Sequence, residues 1–453
     1  MRDLIRQSLS SLSGVEYAEA RVHRVRSTHV VWSGRELEDI GESEGLGGCV
    51  RVLVKGAWGF CSFNNVREIG RYAAMARDQA AMVGGGDVRL APVPPHTARV
   101  RAAPVEDPAR VPLAEKEALC RRYNELLLNA SPRIRTTSAA YSDAVGTALF
   151  MSTEGAEIEQ DICACRLSLS AVAMDGADVQ SGRWSVADQR GFQVCRGLDA
   201  RCEEAAREAV DLLSARPVEA GRYTVICDPM LTGVFVHEAF GHLSEADFIY
   251  EHDRLKEMMT LGRRFAGERV SIVDDATLPG ECGSYGFDSE GVPAQRTWLL
   301  REGRLAGRLH SRETAARMNE TPTGNARAMG SGYPPVVRMS NTFLLPGDAS
   351  FERMLAETRD GLYARGFLGG QTDMEMFSFS AERAWRIRGG KLAEPLRDVV
   401  LSGNVFHTLS RIDAIGNDLR LNGGGCGKGN QSSLPVSDGG PHVRVRGVVV
   451  GGK

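Results

Sequence analysis

The chain has 453 residues, of which 42% are hydrophobic and 25% are charged. This is the composition of an ordinary globular protein, and the length suits two or three domains. The 55 lysine and arginine residues nearly balance the 58 aspartate and glutamate residues, for a formal net charge of −3. That balance argues against nucleic acid or an anionic membrane as the main partner, so we expect neither.

The compartment is predicted from apolar runs and cysteine usage. No uncharged apolar run approaches the ~18 residues that a membrane-spanning helix needs. The N-terminal segment lacks the apolar stretch of a secretory signal peptide, and the ten cysteines are spread thinly without a CxxC pair. We therefore expect a soluble, cytoplasmic protein with reduced thiols.

The first half of the sequence predicts a mixture of helices and strands. A short helix is predicted over residues 2–12. A hairpin is predicted over 45–63, where valines alternate before a Lys-Gly turn at 55–56. Apolar spacing predicts three further helices, over 65–82, 113–129 and 202–215. Alternation of apolar and polar residues predicts strands over 133–195, between the last two of these helices.

The predicted fold class is α+β, with an N-terminal α/β domain over 1–217 and a β-rich C-terminal domain over 218–453 that carries the metal site. A stretch rich in glycine and proline, 84–108, is typical of a connection. It admits a division of the first domain into two subdomains, 1–83 and 109–217.

The segment His237-Glu238-Ala239-Phe240-Gly241-His242 is the most informative in the chain. Two imidazoles with a carboxylate beside the first are typical of a hydrolytic zinc site. The helical version, HExxH, places its histidines four residues apart on one face. Here they are five apart, which on an ideal helix turns the second imidazole about 140° away from the first.

Both imidazoles can bind one ion only if the helix ends, bulges or unwinds between them. Gly241, directly before His242, is the residue that would permit such a change of conformation. On the pattern alone, a metal site and a structural helix end are about equally favoured.

A zinc site needs a third protein ligand. The nearby candidates are Glu245, Asp247 and His252. A distant candidate is Cys426, in a glycine-rich segment over 421–431 that also suits a tight turn. Glu245 could instead hydrogen-bond a ligand's ring nitrogen or be a solvated carboxylate, and His252 could stabilise an oxyanion or be ordinary surface.

Four stretches of the sequence together resemble the TldD/PmbA family of zinc metallopeptidases, and specifically its TldD-like, metal-binding branch. They are HEAFGHLSEAD at 237–247, GCGKGNQ at 425–431, GGCVRVLVKGAWGFCSF at 47–63 and, more weakly, PTGNAR at 322–327. The resemblance implies that His237, His242 and Cys426 bind Zn²⁺ and that Glu238 is the catalytic base. It also implies a dimer enclosing a cavity, either a homodimer or a heterodimer with a related metal-free subunit.

The predicted function is a zinc-dependent peptidase that hydrolyses peptides or unfolded polypeptide segments, with Glu238 activating the zinc-bound water. The alternative is a non-catalytic peptide-binding or scaffold protein whose metal is structural or absent. Glu238 distinguishes the two, because a structural site needs no carboxylate beside its ligand. A thiolate ligand should acidify bound water less than an all-histidine site does, which makes Glu238 more important.

Overall fold

The fold was described from a computed structural model, over residues 1–452. It mixes helices and strands, and the predicted α+β class is confirmed. The division into domains at 217/218, and the further division of the first domain, stay predictions. None of the helices described in this range is long and apolar enough to span a bilayer.

The N-terminal part is built on one seven-stranded sheet. Its elements in chain order are α1 (Arg2–Ser10), β1 (Tyr17–Ser33), β2 (Glu36–Val54), β3 (Ala57–Phe63), α2 (Ile69–Val83), β4 (Thr97–Val100), α3 (Leu113–Asn129), β5 (Ile134–Ser152), β6 (Glu157–Asp175), β7 (Asp178–Asp188) and α4 (Asp199–Leu212). The strand order is β3-β2-β1-β5-β6-β4, and β7 also pairs with β6. Long antiparallel strands form the centre of the sheet, and helices pack against it to enclose two apolar clusters.

The predicted hairpin over 45–63 is present as the pairing of β2 with β3. Lys55 and Gly56 both adopt positive φ angles, +48° and +71°, which is the conformation of a two-residue turn between twisted strands. The strand before this turn is longer than the valine alternation predicts. It begins at Glu36, and in this extension Glu42 and Glu44 form ion pairs across the strands with Arg26 and Arg24 of β1.

The C-terminal part contains a ten-stranded sheet, a six-stranded sheet and short helices. Its elements are β8 (Arg216–Pro217), β9 (Gly221–Cys227), α5 (Pro229–Val236), α6 (Ala246–Glu251), α7 (Asp253–Met258), β10 (Ile272–Asp275), β11 (Arg296–Arg301), β12 (Arg304–Leu305), α8 (Arg312–Met318), β13 (Ala326–Arg327), β14 (Val336–Val337), β15 (Asn341–Leu344), α9 (Phe351–Glu357), β16 (Asp360–Arg365), β17 (Gly369–Asp373), β18 (Met376–Ser380), β19 (Arg383–Arg388), β20 (Lys391–Arg397), β21 (Val400–Asn404), α10 (Val405–Ser410), β22 (Ile412–Ile415), β23 (Arg420–Lys428), β24 (Gln431–Gly440) and β25 (Val443–Gly451).

The six-stranded sheet positions the candidate site. Its strand order is β12-β11-β10-β15-β24-β23, so β23 is the last strand at one edge. Helix α5 is mostly apolar, all of its residues except Met230 are buried, and it packs against β24, β23 and β15. Helix α5 leads directly into the histidine segment, and β23 carries Cys426. This packing therefore brings the histidines and the cysteine together.

Candidate metal centre

The histidine segment follows directly from helix α5. Asp228 caps the start of this helix by accepting a hydrogen bond from the Leu231 N–H at 2.8 Å, and proline occupies the first helical position. The helix ends at Val236 and continues as a π-helical turn over His237–Gly241. The His242 N–H closes that turn by donating to the His237 carbonyl.

This wider turn resolves the five-residue spacing of the histidines. An i→i+5 hydrogen bond places residues five apart on the same side of the helix. The two imidazole centroids are accordingly 5.2 Å apart, with the rings nearly perpendicular at 86°. The backbone therefore has the bulge that two ligands on one ion require.

The reason for Gly241 differs from the prediction. Its φ and ψ of −59° and −55° are ordinary helical values that any residue adopts. A Cβ at this position would instead lie 2.1 Å from the Sδ atom of the buried Met339. Gly241 therefore permits close packing of Met339, and its backbone conformation does not call for glycine.

Cys426 lies on β23, opposite Leu434 of β24. Its Sγ atom is 3.4 Å from Nε2 of His242. Ligand atoms of His237, His242 and Cys426 all lie within 4.8 Å of one another, and all three side chains are buried or half-buried. Around a tetrahedral zinc ion, one sulfur and two nitrogen ligand atoms are roughly 3.3–3.6 Å from one another. The three residues therefore fit zinc if their ligand atoms move slightly closer together.

Two buried arginines hold the Cys426 hairpin in place from behind. Arg338 is fully buried and donates to the Cys426 carbonyl. Arg327 donates to the Met339 carbonyl at 2.6 Å and to the Pro435 carbonyl at 2.8 Å. Arg327 is the last residue of the PTGNAR stretch, which therefore supports the hairpin that carries the cysteine.

Glu245 is fully buried and is not the solvated carboxylate that one alternative predicts. Its Oε2 atom is 3.1 Å from Nδ1 of His242 and 3.0 Å from Nζ of Lys428. A carboxylate on Nδ1 fixes the ring orientation and leaves Nε2, the atom facing Cys426, free to bind a metal. Glu245 is thus a partner of a ligand and not itself one of the clustered ligands.

Lys428 connects the two halves of the site, and the sequence did not single it out. Its ammonium group donates to both carboxylate oxygens of Asp247, at 2.7 and 2.8 Å, and to the Val337 carbonyl at 2.9 Å. It also lies 4.2 Å from the Phe248 ring centroid. Asp247 is therefore occupied by Lys428, and His252, which is exposed, lies outside the cluster.

The electrostatics of the pocket favour the thiolate form of Cys426. Burial by itself would raise the pKa of this thiol, but hydrogen bonds from His237 and His242 lower it to about 5. Burial likewise opposes ionisation of Glu245, yet His242 and Lys428 lower the pKa of its carboxyl to about 2. Because the thiolate is the form that binds metals, the pocket is charged appropriately for a cation.

Glu238 and Asp438 form the polar side of the pocket. Glu238 is half-buried directly after His237. Burial raises the pKa of Asp438 to about 6, an effect that His237 opposes and the Glu238 carboxylate reinforces. Asp438 Oδ1 and His237 Nδ1 are both buried without a hydrogen-bond partner within residues 1–452. No sequence signal indicated Asp438, because its position depends on the pairing of β24 with β23.

Sequence profiles of one family match almost the whole chain. They are described as PmbA/TldA metallopeptidase domain 1, central domain and C-terminal domain, and they match residues 18–80, 106–216 and 220–452. A metalloprotease of Synechocystis sp. is 45% identical over 97% of this chain and 96% of its own length. A zinc metalloprotease TldD homolog of Saccharolobus solfataricus is 28% identical over 97% of both chains.

Solved structures agree in fold. TldE from Thermococcus kodakarensis superimposes with a TM-score of 0.79 at 17% identity, covering 100% of both chains. A protein of Thermotoga maritima described as a proposed modulator of DNA gyrase gives 0.80 at 21% identity, covering 99% of both chains. At these identities the likeness shows the fold alone, whereas the profiles and the closer relatives show the family. The chain belongs to the PmbA/TldD family of metallopeptidases.

Proposed function

We propose that the protein is a zinc-dependent peptidase that hydrolyses peptides or unfolded polypeptide segments. The observation that carries the proposal is the convergence of His237, His242 and Cys426 beside a half-buried carboxylate, Glu238. The names of the relatives, metalloprotease and zinc metalloprotease, support the same class of reaction.

The chain's own residues have separate tasks in this reaction. Zinc supplies a Lewis acid that polarises a peptide carbonyl and lowers the pKa of water. His237, His242 and Cys426 hold the ion, and Glu245 orients the His242 ring. Glu238 accepts the proton of the attacking water and donates it to the departing amine. One carboxyl group therefore carries out both proton transfers.

The position of β23 supports an extended peptide as substrate. This strand is the edge of its sheet, and it carries three consecutive glycines, Gly423–Gly425, next to Cys426. A Cβ added at Gly424 would meet no atom within 4 Å, so the space over this face of the strand is open. A peptide in the extended conformation can pair with such an edge through main-chain hydrogen bonds, which folded proteins rarely offer.

The cellular location and the assembly state of the protein are also part of the proposal. All ten cysteines are free and buried, which supports a reducing, cytoplasmic location. A dimer, of two copies or with a related metal-free subunit, is proposed from the family resemblance alone.

The test is the Glu238→Gln variant, loaded with zinc and compared with the wild type and with Glu251→Gln, which changes an exposed glutamate near the site. Cleavage of unstructured peptides, followed by mass spectrometry, should fall by about 10²–10⁴-fold in Glu238→Gln only, with zinc content and thermal unfolding unchanged. Equal cleavage by wild type and Glu238→Gln would refute Glu238 as the base. A zinc-loaded wild type that cleaves no peptide would favour the scaffold alternative.

A further inference from the structure

A large cleft separates the N-terminal sheet from the C-terminal part of the molecule. Its volume is about 810 Å³. One wall is formed by β6, β7 and α4, and the other by the start of α5, the loop after β16 and the start of β23. The candidate metal centre uses the far ends of α5 and β23, so both elements run from the cleft to the metal centre.

Strand β23 makes the cleft and the metal centre continuous. Asn422 lines the cleft and lies on the same face of β23 as Gly424 and Cys426, because alternate residues of a strand share a face. Four residues of strand span roughly 13 Å. The open space at Gly424 lies between the two sites. An extended peptide at the metal centre would therefore enter the cleft about four residues from the bond to be cleaved.

Three arginines in the cleft have no ion-pair partner. Arg166 of β6, Arg183 of β7 and Arg420 of β23 line it, and none of them has a carboxylate within ion-pair distance in the described part of the chain. The register of β6 with β7 places Arg166 opposite Ala187 and Arg183 opposite Ser170. The two side chains therefore project from one face of the sheet, and their backbone positions are about four residues, or roughly 13 Å, apart along the strands.

Most of the other charged groups in the cleft are paired. Arg190 binds Asp188 at 2.8 Å, Glu204 binds both Arg201 and Arg365, at 2.6 and 2.8 Å, and Glu208 binds Arg383. Three carboxyls, Asp228, Glu281 and Glu382, have no cation within ion-pair distance among residues 1–452, and burial raises the pKa of each. These carboxyls are buried or half-buried whereas Arg166, Arg183 and Arg420 are exposed, so the arginines are the more accessible charges for a bound peptide.

We propose that this cleft binds an acidic flank of the peptide substrate, with Arg166, Arg183 and Arg420 as the groups that recognise its carboxylates. The spacing of the arginines fits several carboxylates along an extended chain better than one compact anion. Serines on the same faces of β5, β6 and β7, at 138, 168, 170 and 185, offer hydrogen bonds to the peptide between the charged positions. The inference rests on the proposed peptidase function, since it assigns the substrate class of that same site.

The test uses 12-residue fluorescent peptides that share one unstructured core and carry a block of four Glu, four Ser or four Lys. Each block is placed at either end, because the direction of binding is not set by the cleft. Dissociation constants are measured by anisotropy on zinc-loaded Glu238→Gln, so that the peptides stay intact. For one placement, the Glu block should bind about tenfold tighter than the Ser block, and the Lys block more weakly. Added salt should reduce the difference.

Replacing Arg183 and Arg420 by Gln should reduce the preference to about threefold or less and leave binding of the Ser peptide unchanged. The matched control replaces Arg89 and Arg269, two exposed arginines outside the cleft, and should keep the preference. Equal binding of the Glu and Lys blocks, no binding of any peptide, or a preference that survives loss of Arg183 and Arg420 would each overturn the inference. Selective binding without cleavage by the wild type would refute the peptidase function alone, and cleavage without charge preference would refute the cleft alone.

Discussion

Two buried clusters of charged side chains differ in whether the protein itself satisfies them. Where α3 packs on the N-terminal sheet, the buried Lys116 ammonium donates to Asp143 at 2.6 Å and to the Thr28 hydroxyl at 3.2 Å. The Tyr141 hydroxyl donates to the same Asp143 oxygen at 2.6 Å. The lysine and the carboxylate neutralise each other, so this cluster has the properties of a purely structural one.

The metal centre is also buried, but its partners are incomplete. Nδ1 of His237 and Oε1 of Glu245 lack hydrogen-bond partners among residues 1–452, and the Cys426 thiol is held as a thiolate. Buried polar atoms are normally paired, so unpaired ones together with a shifted pKa indicate a site prepared for a ligand. The two clusters therefore differ in the completeness of their pairing and not in their burial.

Breaking the structural cluster should have the largest effect on stability. Lys116→Met leaves Asp143 buried without its cation, and we expect a loss of about 3–5 kcal/mol in the free energy of unfolding. Urea titration measures it, with the exposed Lys391→Met as control. Zinc affinity should not change. A loss no greater than in the control would mean that the cluster is not a structural one.

Removing the thiolate should have the opposite effect: zinc affinity should fall strongly and stability should change little. Cys426→Ala is expected to lower zinc affinity by more than about 100-fold, which exceeds the usual effect of losing a ligand's outer partner. The stability of the zinc-free protein should change by about 1 kcal/mol at most. Competition with a chromophoric chelator gives the affinity, and Cys282→Ala, a buried cysteine beside the same hairpin, is the matched control. Unchanged zinc affinity would exclude Cys426 as a ligand.

Glu245→Gln tests the partner of a ligand. The amide keeps the shape but removes the negative charge next to His242, so we expect zinc affinity to fall by about 10–100-fold. The same chelator competition applies, with Glu251→Gln for comparison. An effect within about threefold would show that the contact with His242 does not support metal binding.

Glu382 is a third case, a carboxyl without an ion-pair partner whose pKa is raised by burial. Its pKa of about 7 lies above the ordinary value of 4.5, so the folded protein retains a proton that the unfolded chain loses between these values. Stability therefore falls as pH rises from 4.5 to 7. Glu382→Gln should be more stable than wild type above pH 7, by up to about 3 kcal/mol, and equal to it below pH 4.5. Urea titrations at several pH values check this, and a pH-independent difference would contradict it.

Local patterns predicted much of the fold. The helix over 113–129 has the predicted bounds, because its apolar stripe recurs at helical spacing. The hairpin turn at 55–56 follows from residue types that accept positive φ. The first half of β2 escaped prediction, since its exposed acidic residues carry no alternation and pair with β1 only in the folded sheet.

The chemistry of the candidate site could largely be predicted from the sequence, but its geometry could not. Histidine, glutamate and cysteine in the motif indicated a metal site, and Glu245 was identified as one possible partner. The role assigned to Gly241 was wrong, because the packing of Met339 against it cannot be inferred from neighbours in sequence. Lys428 and Asp438 were missed, because each acts through contacts between separate elements.

The sequence by itself determined the ligand types, their order and the family, since these depend on the identity of a few residues. Only the tertiary structure decided that Cys426, 184 residues after His242, lies 3.4 Å from its ring. It also decided that a π-helical turn aligns His237 with His242, and that Lys428 joins the two segments. The physical reason is that metal coordination and ion pairing depend on the distances between the interacting atoms. These distances are set by the packing of α5 on the edge of the six-stranded sheet.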